Sequence, residues 1–196
     1  MRTVKVYNFI IALSAIIFIS SCGNSSQEAI KEKRQEEMQN KENRVSPLAT
    51  ASATIGANTI TIAYSSPLVK GRPIWGELVK YDEVWRTGAN EATTITFTQD
   101  VTIEGQNLPK GTYSLFTIPT AADWTIIFNV NETQWGAFKY DQSEDALRVN
   151  VKPIMVDMVQ ENLLFEVLAD ATPNSGMVRL RWEKMQVDFH FVNAVE

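Results

Sequence analysis

A seven-residue block at positions 85–91 concentrates polar and aromatic groups that could bind a ligand. It reads Trp-Arg-Thr-Gly-Ala-Asn-Glu and supplies a stacking face, a forked cation, an amide and a carboxylate, on Trp85, Arg86, Asn90 and Glu91. A guanidinium binds a carboxylate or phosphate through two parallel hydrogen bonds, and ligand sites combine apolar walls with a few such polar groups. The block therefore predicts a site for a small polar ligand such as a sugar, a peptide end or a carboxylate.

The same block also admits a purely structural interpretation. Arg86 and Glu91 can form an internal ion pair that holds the loop. Gly88 can supply a backbone conformation with positive φ, and Trp85 can belong to the hydrophobic core. Both interpretations of the block stay open at the level of sequence.

Neighbouring residues extend the predicted site. The Lys70-Gly71-Arg72 turn is either an anion site or a solvated loop tip. Trp75, Trp135 and Tyr140 can join Trp85 in an aromatic platform of the kind that sugar-binding sandwiches display, or they can pack at the rim of the core. The predicted ligand-binding set is Arg72, Trp75, Trp85, Arg86, Asn90, Glu91, Trp135 and Tyr140.

Catalysis is the alternative function that the sequence offers. Glycoside hydrolysis uses two carboxyl groups at a defined separation, and Glu77 and Glu91 are candidates because both fall outside predicted strands. Any acidic chain contains such pairs, so their presence is weak support for a hydrolase. The single histidine, His190, lies two residues from Asp188, which is typical of an exposed pair on the polar face of a strand.

Composition excludes several classes of protein. The chain has 196 residues, one cysteine and one histidine, which rules out a disulfide framework, cysteine-rich zinc sites and multi-histidine metal sites. Without Arg2 and Lys5, which fall in a predicted signal, 16 basic residues face 23 acidic ones, a net charge of −7. So acidic a chain is poorly suited to nucleic acid, which requires many cations against phosphates. The sequence predicts neither a metal site nor a cofactor.

The elements that position the candidate residues are predicted to be β-strands. Alternating apolar and polar residues, the pattern of half-buried strands, occupy 59–64, 94–98, 113–118, 123–128, 147–152, 163–167, 178–182 and 186–191. Eight such runs separated by turn residues indicate an all-β domain, an antiparallel β-sandwich that is jelly-roll-like or Ig-like. Two segments, 66–93 and 131–141, break the alternation and hold the candidate residues.

The N-terminal residues are predicted to form an export signal. Arg2 and Lys5 precede an apolar stretch at 9–19, which is too short to span a bilayer as a helix. The following Ile-Ser-Ser-Cys sequence, ending at Cys22, resembles the lipobox of bacterial lipoproteins. This resemblance implies cleavage before Cys22 and acylation of its thiol, whereas an ordinary secretory signal is the alternative.

The predicted organisation has three parts. Residues 1–21 are the lipoprotein signal peptide, 22–46 the lipidated cysteine and a charged linker, and 47–196 the β-sandwich. The linker contains five acidic and five basic residues between positions 23 and 44 and little apolar surface to bury. We expect a domain that is anchored by lipid to a bacterial membrane and faces either the periplasm or the cell surface. The outer membrane is the predicted location of the anchor.

Four motifs resemble a known bacterial family, the domain of unknown function 2911, found mostly in exported proteins and lipoproteins. They read SPLVKGRPIWG at 66–76, VWRTGANEAT at 84–93, LPKGTYSLFTIP at 108–119 and WGAFKYD at 135–141. The resemblance covers about 46–191 and implies no activity. From the residues, we predict a membrane-anchored lipoprotein of the cell envelope whose sandwich binds a small polar ligand, a glycan or an envelope protein without catalysis. The alternative is a glycosidase-like envelope hydrolase that uses acidic loop residues.

Overall fold

The computed structural model describes residues 30, 31 and 33, which are helical, and residues 44–194. No helix in this described part is long and apolar enough to cross a bilayer. The predicted signal peptide, Cys22 and most of the predicted linker lie outside the described residues.

The chain divides by its internal contacts into two units, Met1–Asn40 and Lys41–Glu196, and the second unit is a β-sandwich. Its ten strands are β1 (Leu48–Ile55), β2 (Asn58–Ser65), β3 (Thr93–Phe97), β4 (Val101–Ile103), β5 (Gln106–Leu108), β6 (Gly111–Pro119), β7 (Trp124–Asn129), β8 (Asp145–Val151), β9 (Ile154–Ala169) and β10 (Ser175–Asn193). All pair antiparallel, in a large sheet ordered β1-β2-β3-β6-β7-β8 and a small sheet ordered β5-β4-β10-β9. The prediction of an all-β antiparallel sandwich is confirmed.

One hydrophobic core lies between the two sheets. Successive side chains of a strand point to opposite faces, so the alternating residues Ile60, Ile62 and Tyr64 of β2 all point inward and are buried. The buried members of this core among the described residues all fall between Ile55 and Phe191, within the Lys41–Glu196 unit. Because both sheets that enclose the core belong to this unit, we expect a chain that begins at Gly23 to fold.

Four of the five tryptophans meet in the centre of this core. Trp124 comes from β7 in the large sheet and Trp182 from β10 in the small sheet, while Trp75 and Trp85 come from the long connection between β2 and β3. The Trp85 and Trp182 rings stack at 5.9 Å, and Trp75 makes edge contacts at 5.0–5.8 Å with the other three. The connection therefore fills the space between the sheets.

Two predicted strands, 178–182 and 186–191, are a single 19-residue strand, β10. Glu183 has a φ of 55°, and the pairing with β9 shifts on both sides of this residue. A bulge of this kind adds a residue and reverses which positions face the core, from even numbers at Trp182 to odd numbers at Met185. Because the buried positions change from even to odd numbers within β10, the alternating pattern in the sequence predicted two strands.

The strands that the sequence did not predict are weakly patterned. β1 alternates between small residues, Ala, Ser and Thr, whose hydrophobicity differs little. β4 and β5 have three residues each and form a hairpin through Glu104 and Gly105, whose φ angles are 48° and 80°. Gln106 and Asn107 belong to β5, because Glu104 and Gly105 fill both central positions of the turn.

Candidate functional site

The predicted ligand-binding block bulges out beside β6. Trp85 exchanges two backbone hydrogen bonds with Thr117, at 2.8 and 2.9 Å, whereas Thr93 lies opposite Leu115, two positions away on β6. Residues 86–92 therefore form an insertion between two nearby points of the sheet. The Thr93 N–H donates to the carbonyl of the first inserted residue at 3.2 Å and closes the base of the loop.

Thr87 holds this loop in an uncommon backbone conformation. It is fully buried with a φ of 53°, which is a genuine outlier for a β-branched residue. Its hydroxyl donates at 3.3 Å to the Trp85 carbonyl and to the Thr117 hydroxyl, and its carbonyl accepts from the Thr93 hydroxyl at 2.8 Å. Such strain persists where surrounding contacts enforce it, and it is concentrated at ligand-binding loops.

The prediction that Gly88 supplies the positive φ is wrong. Thr87 and Asn90 take the left-handed conformation, and Gly88 does not. A Cβ at Gly88 would lie 2.9 Å from the Thr93 hydroxyl and 3.1 Å from the Ser65 carbonyl oxygen. Glycine is needed at this position because the loop passes close to β2 and β3.

A cavity of about 320 Å³, here called the basic cavity, opens on one side of the loop. Its charged lining residues are all cations, namely Lys70, Arg72 and Arg86. The indoles of Trp85 and Trp182 form part of its wall, and the other lining residues are Val45, Ser46, Pro67, Leu68, Leu78, Val79, Gly88 and Ala89. The cavity thus combines positive charge with apolar surface.

Arg72 is oriented by the turn that carries it. Lys70 and Gly71 have φ angles of 50° and 65°, and the turn closes through a 3.1 Å hydrogen bond from the Arg72 N–H to the Val69 carbonyl. The guanidinium donates back through Nε to the same carbonyl at 3.0 Å, and through Nη2 to the Leu68 carbonyl. Because these acceptors are neutral, the positive charge of Arg72 is not cancelled by them.

The edge of the small sheet supports this turn. Val69 donates to the Glu161 carbonyl at 2.8 Å, and the Ser66 hydroxyl donates to the Leu163 carbonyl at 2.6 Å, both on β9. The Glu161 carboxylate accepts from the backbone N–H of Lys70 at 2.9 Å, and Glu161 is not among the residues that line the basic cavity. The turn is therefore a fixed wall of the cavity.

Arg86 is half-buried and has no acidic partner in the described part of the chain. Its Nε atom is buried without a hydrogen bond to any described residue, and burial lowers the pKa of Arg86 from its ordinary value. The alternative prediction of an Arg86–Glu91 ion pair is wrong, because Glu91 accepts two hydrogen bonds from Arg44, at 2.6 and 2.8 Å. The chain turns at Asn90, with a φ of 59°, and so directs Glu91 away from the basic cavity.

A second cavity, here called the aromatic groove, lies on the other side of the loop. It measures about 720 Å³ and is enclosed between the outer face of the large sheet and the connection between β7 and β8. That connection is fastened to the loop by hydrogen bonds from Ala92 N–H to the Gln134 carbonyl at 2.9 Å and from Gly136 N–H to the Asn90 carbonyl at 3.0 Å. Glu91 and Trp135 line this groove.

The predicted aromatic platform is wrong. Trp75 and Trp85 lie in the core, and of these two residues Trp85 lines the basic cavity. Trp135 lines the aromatic groove. Tyr140 packs on Phe116 at 5.1 Å in a small cluster on the outer face of the large sheet. These residues are separated because the loop 86–92 stands between the two cavities.

Tyr140 has a structural role in holding the connection between β7 and β8. Its hydroxyl donates to the Asp145 carboxylate at 2.6 Å and accepts from Arg148, which also pairs with Asp145 at 2.6 Å. Burial, together with the hydrogen bond to Asp145, raises the pKa of Tyr140 to about 12. The phenol is therefore neutral at physiological pH and serves as a donor.

The remaining candidates, Asn90 and Glu77, lie in different parts of the connection between β2 and β3. Asn90 donates to the Ser65 hydroxyl at 3.3 Å, and so braces the loop against β2. Glu77 is exposed on the turn between β2 and β3 and lines neither cavity. Glu77 and Glu91 are therefore not brought together in either of these cavities, as a pair of glycosidase carboxyls requires.

The predicted set left out several charged and aromatic residues of these cavities. Lys70 completes the basic cavity, and Phe138 and Lys139 line the aromatic groove. The sequence did carry a signal for each of them, since they belong to the two segments that break the strand alternation.

His190 and Asp188 do not form the expected pair. Asp188 binds Arg179 at 2.8 and 3.0 Å, and the His190 Nδ1 atom lies 3.5 Å from an Asp170 oxygen. Among the described residues, no group of three or more His, Cys, Asp or Glu side chains is placed to hold a metal ion.

The fold and the two cavities define an antiparallel β-sandwich with a cavity on each side of an insertion in the large sheet. The family described as "Protein of unknown function (DUF2911)" matches residues 46–191, and the chain belongs to this family. The family resemblance inferred from the four motifs is thereby confirmed. No curated protein and no solved structure matches the chain.

Proposed function

We propose that the sandwich is a non-catalytic binding domain that takes a small anionic ligand, of the carboxylate or phosphate class, in the basic cavity. The observation that carries this proposal is Arg86, a half-buried cation without an acidic partner in the described part of the chain. Burying an uncompensated charge is costly, and a bound anion would supply the missing partner.

The other walls of the cavity support the same class of ligand. Lys70 and Arg72 add positive charge, and the cavity has no acidic lining residue. Val45 and Leu78, which are exposed, offer apolar surface for the organic part of a ligand. A volume of about 320 Å³ falls at the lower end of the range of small-molecule sites, about 300–1,000 Å³. These features favour a compact ligand over a polymer.

An envelope hydrolase has less support than a binding domain. Glu91 is held by Arg44 at the aromatic groove, and Glu77 lines neither cavity. Thr87 and the Trp85 backbone fix the loop in one conformation, which suits a preformed binding site.

Substitution of Arg86 tests the proposed ligand class. Isothermal titration of the parent protein with phosphate, succinate and citrate is expected to show binding of at least one of them. Arg86→Met should abolish that binding, and Arg86→Lys should weaken it because lysine keeps the charge but loses the planar fork. Stability should remain within about 1 kcal/mol of the parent for Arg86→Met, since no acidic partner is stranded.

Lys80→Met is the matched control for this experiment, because Lys80 is an exposed cation of the same connection that does not line the cavity. It should bind the anion as the parent does. The proposal is wrong if none of the three anions binds the parent, or if Arg86→Met binds as tightly as the parent.

The proposed setting of this domain is the bacterial cell envelope, with a lipid anchor on Cys22 in the outer membrane. Support comes from the basic residues, the apolar stretch and the lipobox-like sequence at the N-terminus. Two or three acyl chains anchor a protein far more firmly than one.

Cys22→Ala is expected to abolish incorporation of labelled palmitate and to remove the protein from the membrane fraction, or to leave the uncleaved precursor. Ser25→Ala, three residues further along, should be labelled and fractionated like the parent. Unchanged labelling of Cys22→Ala would show that the anchor is elsewhere or does not exist.

A further inference from the structure

We infer that the aromatic groove binds the acyl chain of a single-chain amphiphile with an anionic head, such as a long-chain fatty acid. This inference concerns a different cavity from the proposed anion site and does not rest on it. Ligand sites are concave, mostly apolar and about 300–1,000 Å³, and the groove, at about 720 Å³, lies well within that range.

The surface of the groove is apolar on both sides. Ala63, Ala92 and Thr94 form its floor on the outer face of the large sheet. Trp135, Phe138 and Leu48 stand around it with 61%, 88% and 51% of their surface exposed. Large apolar side chains exposed side by side around a concave surface are typical of a binding groove.

Several polar groups around the groove are engaged within the protein. The Gln134 amide nitrogen donates to Asn129 Oδ1 at 3.1 Å and to the Asn131 carbonyl at 2.8 Å, although its Oε1 atom is buried without a hydrogen bond to any described residue. The Ser65 hydroxyl accepts from Asn90 at 3.3 Å, and the Glu91 carboxylate is held by Arg44. A sugar needs several free donors and acceptors in the site, and these engaged groups are not available to it, so the lining favours a hydrocarbon chain.

The rim of the groove carries a cation that can bind an anionic head group. Lys139 is the cation among the lining residues, and it is exposed beside Phe138. Glu91, one of the two acids in the lining, is neutralised by Arg44, and Glu132 is the other. A carboxylate at the end of the chain can therefore reach Lys139 while the methylenes lie against Trp135 and Phe138.

Trp135 provides a direct report on occupancy of the groove. It is the tryptophan outside the four-tryptophan core, so the chain has one exposed indole and four in the core. Bromine atoms quench an indole only at contact distance. A dibrominated stearate bound in the groove is therefore expected to quench Trp135 and to spare the other four.

The test uses the chain from Gly23 onward, which contains every described residue of the core. This chain lacks Cys22, the proposed acylation site, so it can be studied without detergent. Titration with decanoate, dodecanoate and tetradecanoate below their micelle concentrations should show affinity rising with length, by up to roughly fourfold per methylene. Dibromostearate should quench the parent but not Trp135→Phe. Phe138→Ala should weaken dodecanoate at least fivefold.

Two controls separate this site from general hydrophobic adsorption and from the anion site. Met158→Ala removes an equally exposed apolar side chain, 78% exposed on β9 of the other sheet, and should bind dodecanoate like the parent. Arg86→Met should also keep dodecanoate binding, so failure of the basic-cavity proposal would leave this result intact. Lys139→Gln should weaken dodecanoate but not the neutral alcohol dodecanol.

Three results would overturn the inference. One is affinity that does not depend on chain length. Another is equal quenching in the parent and in Trp135→Phe. The third is a change in Trp135 fluorescence with another probe when dodecanoate causes none. A change with maltotriose or chitotriose would assign the groove to a glycan, and a change with an apolar peptide would assign it to a protein.

Discussion

Replacement of Trp182 by alanine is expected to lower the free energy of unfolding by about 3–5 kcal/mol, the range for large aromatic side chains removed from a core. Trp182 is 1% exposed, stacks on Trp85 at 5.9 Å and contacts the edge of Trp75 at 5.8 Å. Its removal would leave a cavity between the two sheets. It would also remove the support of the connection that carries the basic cavity.

Urea denaturation followed by circular dichroism measures this loss. Trp135→Ala is the control, because Trp135 is 61% exposed and should cost less than about 0.5 kcal/mol. The four-tryptophan core is the wrong description if the two variants lose similar amounts of stability. A second readout is the near-ultraviolet circular dichroism signal, which should fall in Trp182→Ala and persist in Trp135→Ala.

A comparable loss, about 3–5 kcal/mol, is expected for Asn58→Leu, although leucine is apolar and similar in size. Asn58 is fully buried, donates to Asn193 Oδ1 at 2.8 Å and accepts from the backbone N–H groups of Thr98 and Gln99 at 2.9 and 3.1 Å. Asn193 in turn donates to the Ile55 carbonyl at 2.7 Å. Leucine would leave the buried Asn193 Oδ1 atom and the partly buried Gln99 N–H without this partner, and the Thr98 N–H would keep only its 3.3 Å hydrogen bond to the Thr59 carbonyl. Each buried polar group left unpaired costs about 1–3 kcal/mol.

The same denaturation experiment tests this network, which joins the start of β2 to the end of β10. Asn107→Leu, an exposed asparagine on β5, is the control and should change stability by less than about 0.5 kcal/mol. A loss below about 1 kcal/mol for Asn58→Leu would mean that water replaces the missing partners and that the amides do not tie the two sheets together.

Much of the fold could be predicted because strand patterns are local. A strand with one buried face must alternate, and β2, β3 and β8 show that period of two, whereas β6 and β7 are buried on both faces over most of their length. The errors fall where local pattern is weak or altered, in the small-residue strand β1, the three-residue strands β4 and β5 and the bulge at Glu183.

The candidate site was predicted in part, for a related reason. The two segments that break the alternation do build both cavities, because residues not needed in a strand are available for other contacts. The grouping of their side chains was wrong at Trp75, Trp135 and Tyr140. Residue type shows what a side chain can do, but not which side of a loop it occupies.

The amino-acid sequence by itself determined the antiparallel sandwich, the family and the segments that carry unusual chemistry, since each follows from neighbouring residues. Only the tertiary structure decided which residues meet. Glu91 pairs with Arg44, 47 positions earlier, in place of Arg86, and Trp85 stacks on Trp182, nearly a hundred positions later. Those partners depend on where distant strands return to the sandwich, and that position is set by the packing of the whole core. That packing leaves Arg86 without an acidic partner in the described part of the chain.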